Sequence, residues 1–316
     1  MEASFVIPLH NCLGLTRACL ASLRETVPSG MEHEIILVDD ASSDGTGEWL
    51  LTLPAPCRTL RNDRNLGFAV SCNRGAAAAR GRLLFFLNSD LVLLPGWFAP
   101  LQIALEQKPE AGLVGNVQRR FDDGSVDHTG IRVNYQGKPV HDTRRTRGPR
   151  LRPVPAVTGA CFAIRAELWR ELGGFDEGFF NGGEDVDLGL RARAGGRTNF
   201  VALDSVVRHH VSRSPGRKSR DEENSRRLAL RWRQALAPLA ASDWCRHYLA
   251  AKWTRPGDPE DYLDGACACL HVTGLRKDPG DFARRGAQRA IEVELARWRH
   301  LLDGAPETII AEPAVL

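Results

Sequence analysis

The strongest constraint on the fold is a run in which every side chain is apolar. Leu83-Leu-Phe-Phe-Leu87 follows Arg82 and stops at Asn88-Ser89-Asp90. A strand apolar on both faces belongs inside a sheet that is covered on both sides. Ser4–Leu9, with Pro8 near its end, and Glu34–Asp39 read the same way. Thr59–Leu60 is a weaker strand and Gly112–Gln118 another. Helical patterns lie between them: Thr16–Thr26 with Cys19, Leu20 and Leu23, then a turn at Ser42–Thr46 leading through Trp49, Leu50 and Leu53. Gly67–Ala79 and Pro95–Gln107 continue the alternation. Strands alternating with helices imply parallel βαβ units, so the class is α/β: a Rossmann-like, mostly parallel sheet flanked by helices. Such sheets bind ligands beyond the carboxyl ends of their strands. Asp39-Asp40 and Asn88-Ser89-Asp90 stand at two such ends, which suits a cation with a charged ligand. Loop capping is the plain alternative.

Order then loosens. Phe121–Pro155 is polar and rich in Gly, Pro and Arg, and is expected to form a hairpin and a loop. Val157–Ile164 reads as a strand with Gly159 early in it, and glycine inside a strand often marks close approach of a ligand or another backbone. Glu167–Leu172 reads as a short helix and Thr198–Ala202 as a strand. Val206-Val-Arg-His-His210 leads into a basic loop.

Asn181-Gly-Gly-Glu-Asp-Val-Asp-Leu-Gly-Leu-Arg191 sits in the middle of this half. It opens on glycines and places Glu184, Asp185 and Asp187 within four positions. A helix N-terminus favours negative charge, and a carboxylate held there is a candidate general base. N-capping by Asp185 is the structural alternative. From about Asp221 the pattern is helical. One helix starts at Leu228, Leu230, Trp232 and Leu236. A second carries Trp244, Tyr248 and Trp253, and Phe282–Leu302 forms a third. The tryptophans Trp232, Trp244, Trp253 and Trp298 read as core packing between these helices, and Thr308–Leu316 as a tail.

A net charge of +3 is too small to argue for nucleic acid. The basic residues cluster instead: Arg144, Arg145, Arg147, Arg150 and Arg152 in one loop, Arg208, Arg213, Arg217, Lys218 and Arg220 in another. Either cluster suits an anionic ligand or a solvated loop. None of the eight cysteines shows a CxxC spacing, so they read as reduced thiols filling the core. No apolar run approaches the roughly 18 residues of a membrane helix. The expected location is cytoplasmic, with docking at the inner face of a membrane left open.

Several short motifs match, in order, those of one family. They are Phe5-Val-Ile-Pro8 with Asn11, Val38-Asp-Asp-Ala-Ser-Ser-Asp-Gly-Thr46, Asn65-Leu-Gly-Phe-Ala69 with Asn73-Arg-Gly75, and Phe86-Leu-Asn-Ser-Asp90. Thr158-Gly-Ala160, Gly173-Gly-Phe-Asp176, Glu184-Asp-Val-Asp-Leu188 and His209 with Ser214 follow. Over about residues 4 to 225 the chain resembles glycosyltransferase family 2, the inverting enzymes of the GT-A fold. The resemblance implies a GT-A catalytic domain over 1–220, with a nucleotide-sugar half to about 118 and an acceptor half after it. The helical region 221–316 lies outside it.

The resemblance also implies roles. Asp40 would bind the nucleobase, with Pro8, Leu9 and Gly67 lining its pocket. Asn88, Ser89 and Asp90 stand at the metal-binding motif, where Asp90 would ligate Mn²⁺ or Mg²⁺ on the donor diphosphate. Asn88 replaces the motif's first acid, so only one carboxylate faces the metal there. His209 would be a further ligand, with His210 as the alternative. Asp185 would deprotonate the acceptor hydroxyl. Gly159 and Glu184 belong to the acceptor side, Glu184 positioning the acceptor or the turn. Arg213, Arg217 and Lys218, close behind His209, could close over the diphosphate as a lid. The implied partners are a UDP-, dTDP- or GDP-linked sugar and a carbohydrate or lipid-linked glycan acceptor. Bacterial surface glycan synthesis is the usual setting. The C-terminal helices would suit an acceptor site, a homodimer interface or peripheral membrane attachment. Two other readings compete: a non-catalytic sugar-nucleotide binder, and a nucleotidyltransferase. The second expects a glycine-rich phosphate loop that His10-Asn-Cys-Leu-Gly14 does not supply.

Overall fold

The computed structural model describes residues 1–143, 148–210, 220–251 and 259–304. Its residues fall into two compact units: 1–131 with 141–220, and 132–140 with the chain from 221 onward. Residues 132–140 thus go with the helices, although the linear reading placed them in the first 220 residues.

The first unit is built on one ten-stranded sheet. Four parallel strands carry one half of it: β1 (Ala3–Leu9), β2 (His33–Asp39), β3 (Cys57–Arg61) and β4 (Leu83–Leu87). The others are β5 (Leu91–Leu93), β6 (Ala111–Arg120), β7 (Val126–His128), β10 (Leu151–Val154), β11 (Cys161–Arg165) and β12 (Thr198–His209). The order along the sheet is β10–β12–β6–β11–β4–β1–β2–β3, with β5 paired to β12 and β7 to β6. β11 runs antiparallel to both β4 and β6, and β12 runs parallel to β6. The carboxyl ends of β1, β2, β4, β6 and β12 therefore share one edge with the start of β11.

Side-chain alternation covers both faces. Phe5 and Ile7 of β1 and Phe85 and Leu87 of β4 pack with Leu20 and Leu23 of α1 (Leu13–Thr26) and with Phe98 and Leu101 of α4 (Phe98–Gln107). Val6, Leu84 and Phe86 point the other way. They meet Cys72 of α3 (Phe68–Ala78), Trp169 of α5 (Ala166–Leu172) and Leu188 of α6 (Glu184–Ala194). Phe86 is fully buried and stacks on Phe162 with ring centroids 4.8 Å apart. Burial of one such ring contributes roughly 1.5–3 kcal/mol. The small helix α2 (Thr46–Leu50) stops before Leu53.

Three elements differ from the sequence reading. Val157–Ala160 is not strand: only Cys161–Arg165 pairs, and the residues before it form a strap along the sheet's edge. β12 runs unbroken through the two segments read separately, with a bulge between Ala202 and Val206. β5 is three residues long, too short to show a period, and exists because the end of β12 pairs with it.

β8 (Ile131–Val133) and β9 (Pro139–His141) form a hairpin, and its residues 132–140 belong to the second unit with α7 (Asp221–Ala251), α8 (Pro259–Val272) and α9 (Asp281–Asp303). Glu294 accepts Gln136 at 2.7 Å and pairs with Lys138 at 2.8 Å, and Tyr135 lies flat on His247 at 3.9 Å. The two helices expected across 228–253 are one. Pro238 lies inside α7, and buried Leu228, Leu236, Ala240, Cys245 and Tyr248 carry the helix past it. Trp298 is 1% exposed and Trp244 packs against Gly286, as core side chains do. Trp232 is half-buried, and Trp253 and the expected tail lie outside the described residues. None of the eight cysteines forms a disulfide, and Cys19, Cys72, Cys161 and Cys245 are buried. Among the described residues no helix is long and apolar enough to cross a membrane.

Candidate active site

At the end of β2, Asp39 and Asp40 turn inward. Asp40 is 4% exposed, and its carboxylate accepts the Leu66 and Gly67 amides at 2.8 Å each and the Asn62 amide at 2.6 Å. It therefore shapes the turn that carries Gly67, whose φ of 89° an L side chain rarely adopts. Leu9 puts its side chain in the core and offers only backbone at this edge, where its carbonyl accepts the Asp40 amide. Pro8 is likewise buried within β1, opposite Val38. Arg61 reaches back to Asp39 at 3.1 Å.

The same edge holds Asp185 at the start of α6. Its Oδ2 accepts the Gly159 amide and its Oδ1 the Val186 amide, both at 2.8 Å. A Cβ on Gly159 would lie 3.1 Å from the Phe68 ring and 3.5 Å from the Asp185 Cβ, so glycine lets the strap and the helix mouth approach. Glu184 is 5% exposed and turns back to the Gly182 amide at 2.7 Å. Of the two tasks expected of it, the turn is the one this contact serves. Asn181, with φ 53°, accepts the Phe68 amide at 3.0 Å and so ties the loop before α6 to the loop after Asp40. Asp187 is fully buried and ion-paired with Arg191 at 2.8 Å, which makes it structural.

β4 delivers the third group. The Asn88 amide donates to the Ala160 carbonyl at 2.8 Å, one residue beyond the Gly159 that holds Asp185. Two residues later Asp90 meets β12. Leu91 of β5 pairs with His209, and the His209 Nε2 lies 3.1 Å from the Asp90 Oδ1. His209 is 3% exposed. Among the described residues, both its ring nitrogens and the Asp90 Oδ1 are buried without a hydrogen-bond partner. The ring beside the Asp90 carboxylate is that of His209: His210 gives Asp90 only its backbone amide, at 3.1 Å to the carbonyl, and its ring lies against Phe121 at 3.9 Å. Two buried, unpartnered donors facing each other, one oxygen and one nitrogen, fit a divalent cation. Among the described residues no third Cys, His, Asp or Glu completes a protein-only cage. Cys19 lies beneath this point and donates to the Asn88 carbonyl at 3.4 Å. Burial, together with the Asp90 charge, pushes its thiol up to about 12.

Among the described residues, four other than glycine have left-handed backbone: Asn11, Cys12, Ala41 and Asn181. All lie on loops at this edge. Such conformations cost about 1–3 kcal/mol and concentrate at functional sites.

Asp40, Gly67, Gly159, Glu184, Asp185, Asn88, Ser89, Asp90 and His209 are thus carried by the loops, the helix start and the strand end at one edge. Arg213, Arg217 and Lys218 lie outside the described residues, as do Arg144, Arg145 and Arg147. Arg152 is not available to a ligand: it is 8% exposed and donates to the Thr129 hydroxyl at 3.1 Å. Arg150 pairs with Asp204 at 3.2 Å.

Sequence reasoning missed Asp127 and the two histidines His128 and His141. His128 is fully buried on β7 and accepts the Thr158 amide through Nε2 at 3.4 Å. Its ring stands edge-on to His141, centroids 4.8 Å apart. His141 holds Asp127 below the usual carboxylate range, against the opposing effect of burial. These residues lie in the Gly-, Pro- and Arg-rich stretch, where no period marks any of them as internal.

The profile of glycosyl transferase family 2 matches residues 4–173, more than half of the chain. The chain belongs to that family. The O-antigen biosynthesis protein RfbC of Myxococcus xanthus is 32% identical over 92% of this chain. This chain spans 22% of that protein, and about a quarter to a half of the curated relatives it first matches. Among solved structures, GalNAc-T7 with UDP, GalNAc and Mn²⁺ superposes with a TM-score of 0.61 at 19% identity, over 88% of this chain and 55% of that one. S. aureus TarS 1–349 with UDP-GlcNAc gives 0.59 at 15%, over 95% and 92%. These likenesses show the fold: the GT-A arrangement expected from the motifs, with helices following it.

Proposed function

We propose that this chain transfers a sugar from a nucleotide-diphospho-sugar to an acceptor hydroxyl by single displacement, with inversion at the anomeric carbon. The observation that carries this reading is the facing pair Asp90 and His209, on the same edge as a carboxylate fixed by two backbone amides. Asp90 and His209 would hold Mn²⁺ or Mg²⁺, which when bound neutralises charge developing on the diphosphate leaving group. Asn88 and Ser89 lie beside the donor, with Asn88 set by the Ala160 carbonyl. Asp185 takes the proton of the acceptor hydroxyl. Each of its oxygens accepts one amide and keeps a lone pair for that proton. Such a base typically contributes about 10²–10⁴-fold. Of the four or so lone-pair sites on Asp40, three are used internally, so it meets a nucleobase through what remains on Oδ2.

The UDP in the two solved structures supports a uridine donor as the first to try. The name of the Myxococcus relative supports a bacterial surface glycan or its lipid-linked precursor as acceptor. The test is a thermal-shift screen of UDP-, dTDP- and GDP-sugars, each with Mn²⁺ and with a chelator. Release of nucleoside diphosphate and the anomeric configuration of the product by NMR follow. Metal-dependent stabilisation with slow release supports transfer. Binding with no turnover under any condition supports a sugar-nucleotide binder instead, and a retained anomer removes the single-displacement step.

A further inference from the structure

We propose that His128 is a positioning residue for the transfer reaction: it clamps the Thr158–Ala160 strap and thereby holds Asp185 in place. The proposal rests on the reading of Asp185 as the base. Three consecutive residues of the strap are each tied to a different element. The Thr158 amide donates to His128 Nε2 at 3.4 Å, the Gly159 amide to Asp185 Oδ2 at 2.8 Å, and the Ala160 carbonyl accepts the Asn88 amide at 2.8 Å. The strap thus joins the base to the end of β4, two residues before Asp90. Its remaining anchor is a histidine on β7, fully buried and paired in register with Gln118 of β6.

The chemistry of that anchor is specific. A ring nitrogen that accepts an amide proton carries none of its own, so the proton of neutral His128 sits on Nδ1. Burial, with neighbouring His141 second, holds the ring well below its usual pKa, so it stays neutral and able to accept. Asp127 acts in the opposite sense, and Arg152 and His209 reinforce the depression. His128 Nδ1 is buried with no partner among the described residues, and so are both amide atoms of Gln118, opposite it in register.

A structural filler and an anchor respond differently to substitution. His128→Leu keeps the volume and removes the acceptor. His128→Gln places an amide oxygen about where Nε2 lies, whereas His128→Asn reaches only as far as Nδ1. Misplacement of a reacting group by about 1 Å costs on the order of 10²-fold. In the full chain the Leu and Asn variants should lose roughly 10- to 100-fold in kcat with the donor KM unchanged, and the Gln variant should recover most of it. If the Leu variant does not fold, the Gln and Asn pair carries the comparison. Two measurements do not depend on turnover. Nitrogen-15 NMR should place the His128 proton on Nδ1, and exchange of the Thr158 amide should be slow in wild type and Gln but fast in Asn. A proton on Nε2, or equal kcat in Gln and Asn, overturns the proposal. Wild-type protein inert with every donor would instead remove the transferase reading itself.

Discussion

Replacing Asp185 by Asn separates chemistry from structure at the proposed base. Both carboxylate oxygens accept a backbone amide at 2.8 Å, Gly159 on one side and Val186 on the other. An Asn side chain has one acceptor oxygen, so one of those amides loses its partner. That costs about 1 kcal/mol, the low end for a half-buried group. Losing a charge at the mouth of α6 adds roughly 0.3–1 kcal/mol. The fold should therefore survive with a drop of a few degrees in Tm. A missing general base costs about 10²–10⁴-fold in rate, or roughly 2.7–5.4 kcal/mol of barrier. The expected result is kcat for nucleoside diphosphate release down by at least about 100-fold, measured at saturating donor and acceptor. Donor affinity by calorimetry should stay within about threefold, because the role proposed for Asp185 is toward the acceptor. A loss of less than tenfold in kcat, or an equal loss of donor binding, would refute the role given to Asp185.

The remaining expectations concern the supporting residues. Asp90→Asn and His209→Gln should each weaken Mn²⁺ binding by at least the 10- to 100-fold typical of altered metal-site surroundings. Electron paramagnetic resonance of added Mn²⁺ checks this, and unchanged affinity in both variants would dissolve the site. His128 predicts a pH dependence of stability. Its folded pKa is depressed, so below the unfolded value of about 6.5 the unfolded chain binds a proton that the folded one refuses. Stability from this group is present above about pH 6.5 and falls by up to about 1.4 kcal/mol per unit below it. Urea melts at pH 7.5 and 5.5 should show this slope in wild type and a flatter one in His128→Gln. Asp127, also depressed, has its effect only as pH falls below about 4, so it does not blur that window. Arg191→Met deprives buried Asp187 of its guanidinium and frees the Leu172 and Gly174 carbonyls. It should cost about 3 kcal/mol or more, seen as a Tm lower by roughly 6–12 °C.

The layers of the fold were legible because burial on both faces leaves a local mark. Runs such as Leu83–Leu87 announce a covered strand wherever the rest of the chain goes, and the helices between them declare their period. Asp40, Asp90 and Asp185 could be picked out because they end strands or open a helix, and the family motifs agree. What could not be read is which distant residues face one another. β5 has three residues and no period, and it forms because β12 runs alongside it; that pairing alone turns the ring of His209 and not that of His210 toward the Asp90 carboxylate. Likewise Val157–Ala160 has the composition of a strand, yet its amides go to His128 and Asp185, 30 and 26 positions away in the chain. Composition and spacing report how each segment meets solvent, a local property. The site is a set of contacts across the sheet, and those arise only once the strands have chosen their neighbours.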